Sequence, residues 1–242
     1  MNPFRRVICK FVQLFFEILS TKRKHKGTIL MLHWVGDDEY GNPYHISKDK
    51  FRTLLQWLRA KNMIRLENWE NESDFYALTI DDVPENFYYN AFPILKEMDL
   101  PFTIFVNISL LDKEGYLSSE QLQEIANSKL CTVGSHAVKH ELYHEMTATE
   151  ARKDLEESRT RLEGIIGSRV DMYAFPYGSF YACGFRHKSL VASEYKYGFS
   201  TVAASVTEPL TLPKYFLPRI NVDGATDKPC GEGVRMLTQN CC

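Results

Sequence analysis

The chain has 242 residues, of which 44% are hydrophobic and 25% are charged, the composition of a folded globular protein rather than a disordered one. Its 29 lysine and arginine residues nearly balance 31 aspartate and glutamate residues, and this net charge of -2 argues against a nucleic-acid partner. The six cysteines lack CxxC spacing and are too sparse for a disulfide-stapled fold, so we expect reduced thiols.

Residues 1–26 form an amphipathic and basic N-terminal segment. Apolar residues recur every three or four positions from Phe4 to Leu19, which indicates one apolar face of a helix. Four charged residues interrupt this stretch, so it lacks the roughly 20 uncharged residues of a transmembrane helix. The face either packs on the domain, which we favour, or makes peripheral contact with a membrane through residues 4–19. The basic cluster Thr21–Lys26 is interpreted as a solvated linker.

We expect the protein in the cytoplasm or at the cytoplasmic face of the membrane. The stretch Ile18–Lys22 lacks the small-residue cleavage site of a secretory signal. Export with an uncleaved N-terminal anchor is the less favoured alternative.

Strand and helix patterns alternate through the predicted domain, residues 27–223. Short apolar runs predict seven strands, at 28–32, 75–80, 102–106, 130–133, 171–175, 199–203 and 216–222. Apolar stripes predict four helices. The first begins after the cap Ser47 and ends at Asn62 in the left-handed conformation, and the next two span 87–98 and 119–125. The fourth begins at the capping box of Thr147 and Glu150 and ends at Gly167. This alternation predicts an α/β fold, a distorted (β/α)7-type barrel in a single domain. Residues 224–242 are predicted to be a loose tail.

The residues that follow three of these strands carry the candidate chemistry. His33 follows the first strand, Asp81 and Asp82 follow the second, and His136 and His140 follow the fourth. Because the carboxyl ends of parallel strands meet at one rim of a barrel, we expect these five side chains to converge.

Two histidines four residues apart and one aspartate are a typical ligand set for a single divalent metal ion. Zinc is the first expectation, and nickel, cobalt and iron also suit these ligands. The set leaves a coordination position for water, and the second aspartate of the pair would accept a proton from that water. Each pattern alone is weak, because histidine pairs arise by chance and paired aspartates are common in solvated turns.

Three ordered motifs resemble those of the polysaccharide deacetylases of the NodB-homology type, carbohydrate esterase family 4. The motifs T-F-D-D-G, S-H-T-x-x-H and Pro-Tyr-Gly of that family are similar to Thr79–Val83, Ser135–His140 and Phe175–Gly178. The resemblance extends over residues 28–222. It implies that Asp81 is the general base and that the metal ligands are Asp82, His136 and His140. It also implies that the backbone N–H of Tyr177, which follows Pro176, helps the metal to stabilise an oxyanion.

Three positions depart from the family pattern. Val83 replaces a usual glycine, Ala174 replaces an arginine that steadies the base, and Leu217–Arg219 replaces a Leu-x-His motif that supplies the general acid. At these positions the sequence is similar to one branch of the family, the poly-N-acetylglucosamine de-N-acetylases. In that branch the order of the motifs is permuted and the first strand ends in histidine.

Resemblance to that branch implies that His33 protonates the leaving amine and that Arg219 orients Asp81. The favoured interpretation is therefore a metal-dependent hydrolase that removes acetyl groups from an N-acetylated saccharide, the expected partner. An O-acetyl esterase on the same site is a close variant. The alternative from another class is a catalytically retired carbohydrate-binding protein on the same fold, favoured by the three departures and opposed by the intact aspartates and histidines.

Overall fold

A curled, mostly parallel sheet organises the computed structural model, which describes residues 3–36, 44–184 and 188–222. The strands are β1 (Lys24–Leu32), β2 (Trp34–Val35), β3 (His45–Ile46), β4 (Asn62–Met63), β5 (Phe75–Asp81), β6 (Phe102–Val106), β7 (Cys131–Ser135), β8 (Met172–Ala174), β9 (Tyr197–Phe199), β10 (Val206–Glu208) and β11 (Ile220–Asn221). The main sheet has the order β10-β1-β5-β6-β7-β8-β9, with β4 beside β5 and β11 beside β1. The predicted tail at 224–242 lies outside the described residues.

Helices connect most of the parallel strands. They are α1 (Pro3–Thr21), α2 (Lys48–Arg59), α3 (Phe92–Met98), α4 (Ser119–Ala126), α5 (Ala148–Ile166), α6 (Phe180–Cys183) and α7 (Val191–Glu194). The predicted caps are present: the Ser47 hydroxyl accepts a hydrogen bond from the Lys50 N–H, and Thr147 and Glu150 form a reciprocal capping box. Gly167 ends α5 in the left-handed conformation.

The segment that precedes β11 brings the curled sheet back toward its first strand. Leu217 bridges Phe199 of β9 in parallel, and three residues later Ile220 pairs with Leu30 of β1. The α/β single-domain prediction with a barrel-like sheet is thus confirmed. The antiparallel strand β10, which pairs with the start of β1, was not predicted.

Several predicted element bounds are wrong. The strand predicted at 216–222 is reduced to Ile220–Asn221, because Pro218 has no backbone N–H to give to a ladder. The strand predicted at 199–203 ends at Phe199. Asn62 does not end α2 in the left-handed conformation, since the helix ends at Arg59 and Asn62 begins β4.

The helix predicted at 87–98 begins with a π-helical turn, Phe87–Ala91, before α3. The N–H of Phe92 donates to the carbonyl of Phe87, five residues back. Pro93, the next residue, has no N–H, so the usual α-helical ladder is interrupted at this point.

Alternation along β5 separates the core into two layers. Leu78 and Ile80 belong to the large cluster between the sheet and its helices, whereas Phe75 and Ala77 belong to the cluster inside the curl. Continuing this alternation by two residues at a time places Asp81 on the inner side, at the carboxyl end of the strand.

Helix α1 packs on the domain through one narrow face. Cys9 is buried, Val12 and Phe16 are partly buried against the core, and the Phe16 ring stacks on Phe180 of α6 with ring centroids 5.4 Å apart. The basic cluster is not a free linker, because Lys24 onward is part of β1. Among the described residues no helix is both long and apolar enough to cross a membrane. Among the described residues, Cys9, Cys131 and Cys183 are all buried, and Cys131 is a free thiol.

Candidate active site

Asp81 and Arg219 form a buried ion pair at the top of the curled sheet. The Arg219 Nη1 and Nη2 atoms each donate to one oxygen of the Asp81 carboxylate, both at 2.7 Å. Both side chains are almost fully buried. Burial opposes ionisation of Asp81, but the charge and hydrogen bonds of Arg219, assisted by His136 and His33, outweigh burial and lower the pKa of Asp81 from 3.8 to about 2. Asp81 is therefore a carboxylate at neutral pH.

Further contacts fix the Arg219 guanidinium in place. Nε donates to the carbonyl of Ser200 at 3.0 Å, and Nη1 also donates to the hydroxyl of Thr79 at 3.1 Å. The guanidinium lies over the Phe105 ring, 5.3 Å from its centroid. The orientation of Asp81 is thus set by residues from two distant parts of the sequence.

A tight turn directs Asp82 away from the strand that carries Asp81. The Val83 N–H donates to the Asp81 carbonyl at 2.7 Å, so Asp82 is the central residue of a three-residue turn. Asp82 and Val83 have φ values of 60° and 46°. A β-branched residue at positive φ is strained, which explains why a glycine at position 83 would be the easier choice. The turn brings Asp82 beside the two histidines.

His136 has a defined tautomer. Its Nδ1 lies 2.8 Å from the carbonyl oxygen of Ala174, which can only accept, so Nδ1 carries a proton and the lone pair of the neutral imidazole would be on Nε2. Nε2 lies 3.6 Å from Oδ1 of Asp82. A histidine that donates its other N–H to a carbonyl is the usual arrangement of a metal ligand.

His140 completes the group of possible ligands. Its Nε2 lies 3.8 Å from the same Asp82 oxygen. Burial, followed by the charge of His136, lowers the pKa of His140 below 6.5, which favours the neutral imidazole that binds metals. The Tyr177 ring covers this imidazole edge-on, with centroids 4.5 Å apart.

The chemistry of these three residues fits a divalent metal ion. One ligand atom from each of Asp82, His136 and His140 lies within 4.8 Å of the others. The Asp82 Oδ1 atom that faces both imidazoles is buried and has no hydrogen-bond partner among the described residues. An unsatisfied buried carboxylate oxygen is costly, and a cation shared with two imidazole nitrogens would satisfy it.

His33 lies at the end of β1, on the same side of the sheet. Burial lowers the pKa of His33 below 6.5, and Asp81 and Asp82 oppose this change through their charges. Its Nδ1 atom is buried without a hydrogen-bond partner in the described part of the chain. The Tyr44 ring lies beside it, with centroids 5.3 Å apart.

Pro176, Tyr177 and Gly178 form a constrained loop at the rim. Tyr177 and Gly178 have φ values of 58° and 50°. A Cβ on Gly178 would come within 2.6 Å of the Thr201 backbone nitrogen, so only glycine fits. The Tyr177 carbonyl accepts hydrogen bonds from Ser179 and Thr201, which hold the loop with the Tyr177 ring over His140.

Asp154 of α5 supports the loop between the two histidines, a role that was not predicted from the sequence. One oxygen accepts hydrogen bonds from the backbone N–H groups of Val138 and Lys139 at 3.2 and 3.3 Å, and the other accepts from the Tyr143 hydroxyl at 2.8 Å. The available signal was a carboxylate within the buried stripe of α5, between Ala151 and Leu155.

Two grooves meet at Tyr177. One, of about 630 Å³, includes His140 and a set of acidic residues from the loop and α5: Glu141, Glu145, Glu150, Asp154 and Glu157. The other, of about 490 Å³, runs between α1 and the loop that follows Tyr177. A ligand in either groove would therefore lie against Tyr177, and one in the larger groove would also contact His140.

The structure therefore places the predicted site residues at one rim. Asp82, His136 and His140 form one cluster, Asp81 is bound by Arg219, and Tyr177 covers His140. Their catalytic roles stay predictions. Arg219 pairs with Asp81, the contact that the resemblance implied, and the Ala174 carbonyl orients His136.

The sequence and the fold are both similar to those of known proteins. The family model described as polysaccharide deacetylase matches residues 70–197, more than half of the chain. The poly-beta-1,6-N-acetyl-D-glucosamine N-deacetylase of Staphylococcus aureus (strain MSSA476) is 26% identical over 201 residues, which cover 73% of this chain and 67% of that protein.

Two solved structures show the same fold. The polysaccharide deacetylase BC0361 from Bacillus cereus has a TM-score of 0.76 at 21% identity, over 84% of this chain and 66% of that one. IcaB from Ammonifex degensii has a TM-score of 0.71 at 22% identity, over 84% of this chain and 94% of that one. The chain spans about two thirds of the length of the Staphylococcus aureus and Bacillus cereus proteins.

Proposed function

The chain belongs to the polysaccharide deacetylase family, and from this premise we propose that it is a metal-dependent hydrolase that removes acetyl groups from N-acetylated sugars of a polysaccharide, oligosaccharide or glycan precursor. The observation that supports this most directly is the arrangement at one rim of an ionised, buried Asp81 beside the Asp82, His136 and His140 cluster. A binding module has no need of a buried base beside three metal ligands.

Asp82, His136 and His140 would hold the metal ion. A divalent ion there would supply a Lewis acid that lowers the pKa of water and polarises the acetyl carbonyl. The protein prepares its ligands for this role, because His136 is fixed in one tautomer by Ala174 and the pKa of His140 is lowered by burial. Zinc is our first expectation, and nickel, cobalt and iron suit the same ligands.

Asp81 is the proposed general base. It takes a proton from the attacking water as the new C–O bond forms, and Arg219 keeps the carboxylate ionised and oriented. Each carboxylate oxygen accepts one hydrogen bond from Arg219 and has a further lone pair for that proton. Pairing with Arg219 keeps the pKa of Asp81 low, so Asp81 is a weak base. A bound metal ion would therefore have to lower the pKa of the attacking water for Asp81 to deprotonate it.

Tyr177 and His33 are proposed to act on the two other atoms that change charge. The Tyr177 backbone N–H donates to the oxyanion that forms from the acetyl carbonyl, and the rigid Pro176–Gly178 loop holds that N–H in place. His33 gives a proton to the nitrogen as the C–N bond breaks, and a free amine and acetate leave. Because its pKa is lowered, His33 is mainly neutral at pH 7, so it first takes up a proton from solvent. Asp81 returns the proton that it accepted from water to solvent after acetate and the amine leave.

Acetate release from short N-acetylglucosamine oligomers tests the proposal. The full chain is stripped of metal and reloaded with each divalent ion, and Asp81→Asn is compared with Asp49→Asn, an exposed residue in the first turn of α2. We expect metal-dependent release that is lost in Asp81→Asn and kept in Asp49→Asn.

Stoichiometric metal binding without release from any N-acetylated sugar would overturn the proposal. Release from O-acetylated sugars alone would identify the esterase instead. No release from either class would favour the carbohydrate-binding alternative.

A further inference from the structure

Helix α1 presents a continuous apolar face to solvent. Six of the ten large hydrophobic side chains that are exposed among the described residues lie on this one helix: Val7, Ile8, Phe11, Leu14, Phe15 and Ile18. Phe11 is 68% exposed and Phe15 is 60% exposed. Their spacing of three, four and seven residues places them on one side of the helix, so they form one patch rather than scattered contacts.

The orientation of α1 is fixed by its other sides, so the helix cannot turn this face inward. Cys9, Val12 and Phe16 pack against the domain. Arg6, Lys10, Gln13 and Glu17, at helical spacing along a polar edge, line the groove that ends at Tyr177. At the end of the helix, Arg23 donates hydrogen bonds to the carbonyls of Pro209 and Leu210, which ties the helix to the loop after β10.

Charge distinguishes what can cover this face. Residues 1–26 contain seven basic residues, lysine or arginine, and one acidic residue, a glutamate. The remaining residues contain 22 basic and 30 acidic residues. A symmetric pair of chains in contact through α1 would bring two strongly basic segments together, which is unfavourable. An anionic surface that also accepts apolar side chains matches both properties, and a bilayer with anionic lipids is such a surface.

We propose that α1 docks flat on an anionic bilayer, with Phe11, Leu14 and their neighbours inserted among the lipids and the basic residues at the headgroups. An interfacial helix of this kind inserts its apolar face by about 5–10 Å. The polar edge of the same helix lines the groove that reaches Tyr177, whose ring lies 4.5 Å from His140. Docking therefore places the candidate active site beside the membrane surface.

Flotation of the full chain with lipid vesicles tests this docking without any need for enzymatic activity. The vesicles contain phosphatidylcholine alone or phosphatidylcholine with phosphatidylglycerol. The test variant is Phe11→Ser/Leu14→Ser, which leaves Phe15 in its contact with Phe16. The matched control is Tyr89→Ser, because Tyr89 is equally exposed but lies in the π-helical turn before α3.

We expect the wild-type chain and Tyr89→Ser to bind the anionic vesicles, less at high salt and less to neutral vesicles. The double variant should lose at least about tenfold in its partition constant, because two large apolar side chains no longer leave water. Unchanged circular dichroism and thermal unfolding would show that the double variant is folded. No binding of the wild type to anionic vesicles would overturn the proposal, and so would equal binding of a folded double variant. A wild-type dimer that the double variant dissociates, without vesicle binding, would identify the face as an interface between copies.

Discussion

Asp154 accepts a hydrogen bond from the backbone N–H of Val138, midway between the two histidines of the candidate metal site. The same carboxylate binds the Lys139 N–H and the Tyr143 hydroxyl, so α5 holds the loop at three points. Burial raises the pKa of Asp154, and the hydrogen bonds from Tyr143 and the loop oppose that rise. These contacts favour the ionised form and position the loop at the same time.

We predict that Asp154→Asn weakens metal binding about 10-fold to 100-fold, the usual effect of losing a group that supports metal ligands. Asparagine is neutral and has a single acceptor oxygen, so the loop amides and the Tyr143 hydroxyl lose a charged acceptor and cannot all donate to this side chain as they do to Asp154. Isothermal titration of the metal-stripped protein with zinc measures the effect. Glu157→Gln, on the same helix and beside the same groove, is the control and should bind like the wild type. Wild-type affinity in Asp154→Asn would show that the loop holds its shape without this carboxylate.

The Asp81 and Arg219 pair predicts a large loss of stability when one partner is removed. Arg219→Met leaves a buried carboxylate unpaired, and we expect the free energy of unfolding to fall by about 3–5 kcal/mol. Adding Asp81→Asn removes the buried charge and should restore part of that loss. Urea unfolding of both single variants and the double variant measures this coupling.

The matched control for that cycle is Arg52→Met, which removes an exposed pair with Glu97 and should cost less than about 1 kcal/mol. If Arg219→Met were as stable as Arg52→Met, the buried pair would not be a stabilising feature of the fold.

The lowered pKa of Asp81 also predicts how stability changes in acid. The pKa of Asp81 is about 2 in the folded protein, and the ordinary value of 3.8 applies to the unfolded chain. The unfolded chain therefore binds the proton more readily. This contribution is present above about pH 4 and is lost as the pH falls toward about 2, with a size of about 2 kcal/mol. Urea unfolding of the metal-free protein across this range should show a steeper decline for the wild type than for Arg219→Met/Asp81→Asn. If the unfolding free energies of the two proteins fell in parallel with pH, the lowered pKa of Asp81 would be contradicted.

Local patterns predicted the positions of the site residues better than their contacts. The apolar run before Asp81 was enough to place that residue at a strand end, because a strand is defined by neighbouring residues. The contact of Asp81 with Arg219 joins residues 138 positions apart, and only resemblance to a family indicated it. In the sequence, Asp154 is one polar residue within the buried stripe of α5. Its contacts with the loop depend on how α5 packs on the sheet, which the local pattern does not indicate.

Helix α1 shows that hydrophobic periodicity predicts a helix without predicting which of its apolar residues are buried. The apolar face predicted from Phe4 to Leu19 is wide, and periodicity alone could not indicate which part of it meets the domain. The structure selects Cys9, Val12 and Phe16, and leaves Phe11 and Phe15 exposed. Packing partners such as Phe180 of α6 decide this choice, and they lie far away in the sequence.

The proposed role of His33 predicts a loss of turnover without a loss of metal. His33→Ala should lower kcat about 100-fold to 10,000-fold, the usual contribution of a positioned acid, while zinc affinity stays at the wild-type value. His25→Ala is the matched control, since His25 lies near the opposite end of β1 and bonds to Thr28. Acetate release and zinc titration on both variants separate the two properties. If folded, zinc-loaded His33→Ala kept near-wild-type turnover, another group would have to protonate the leaving amine.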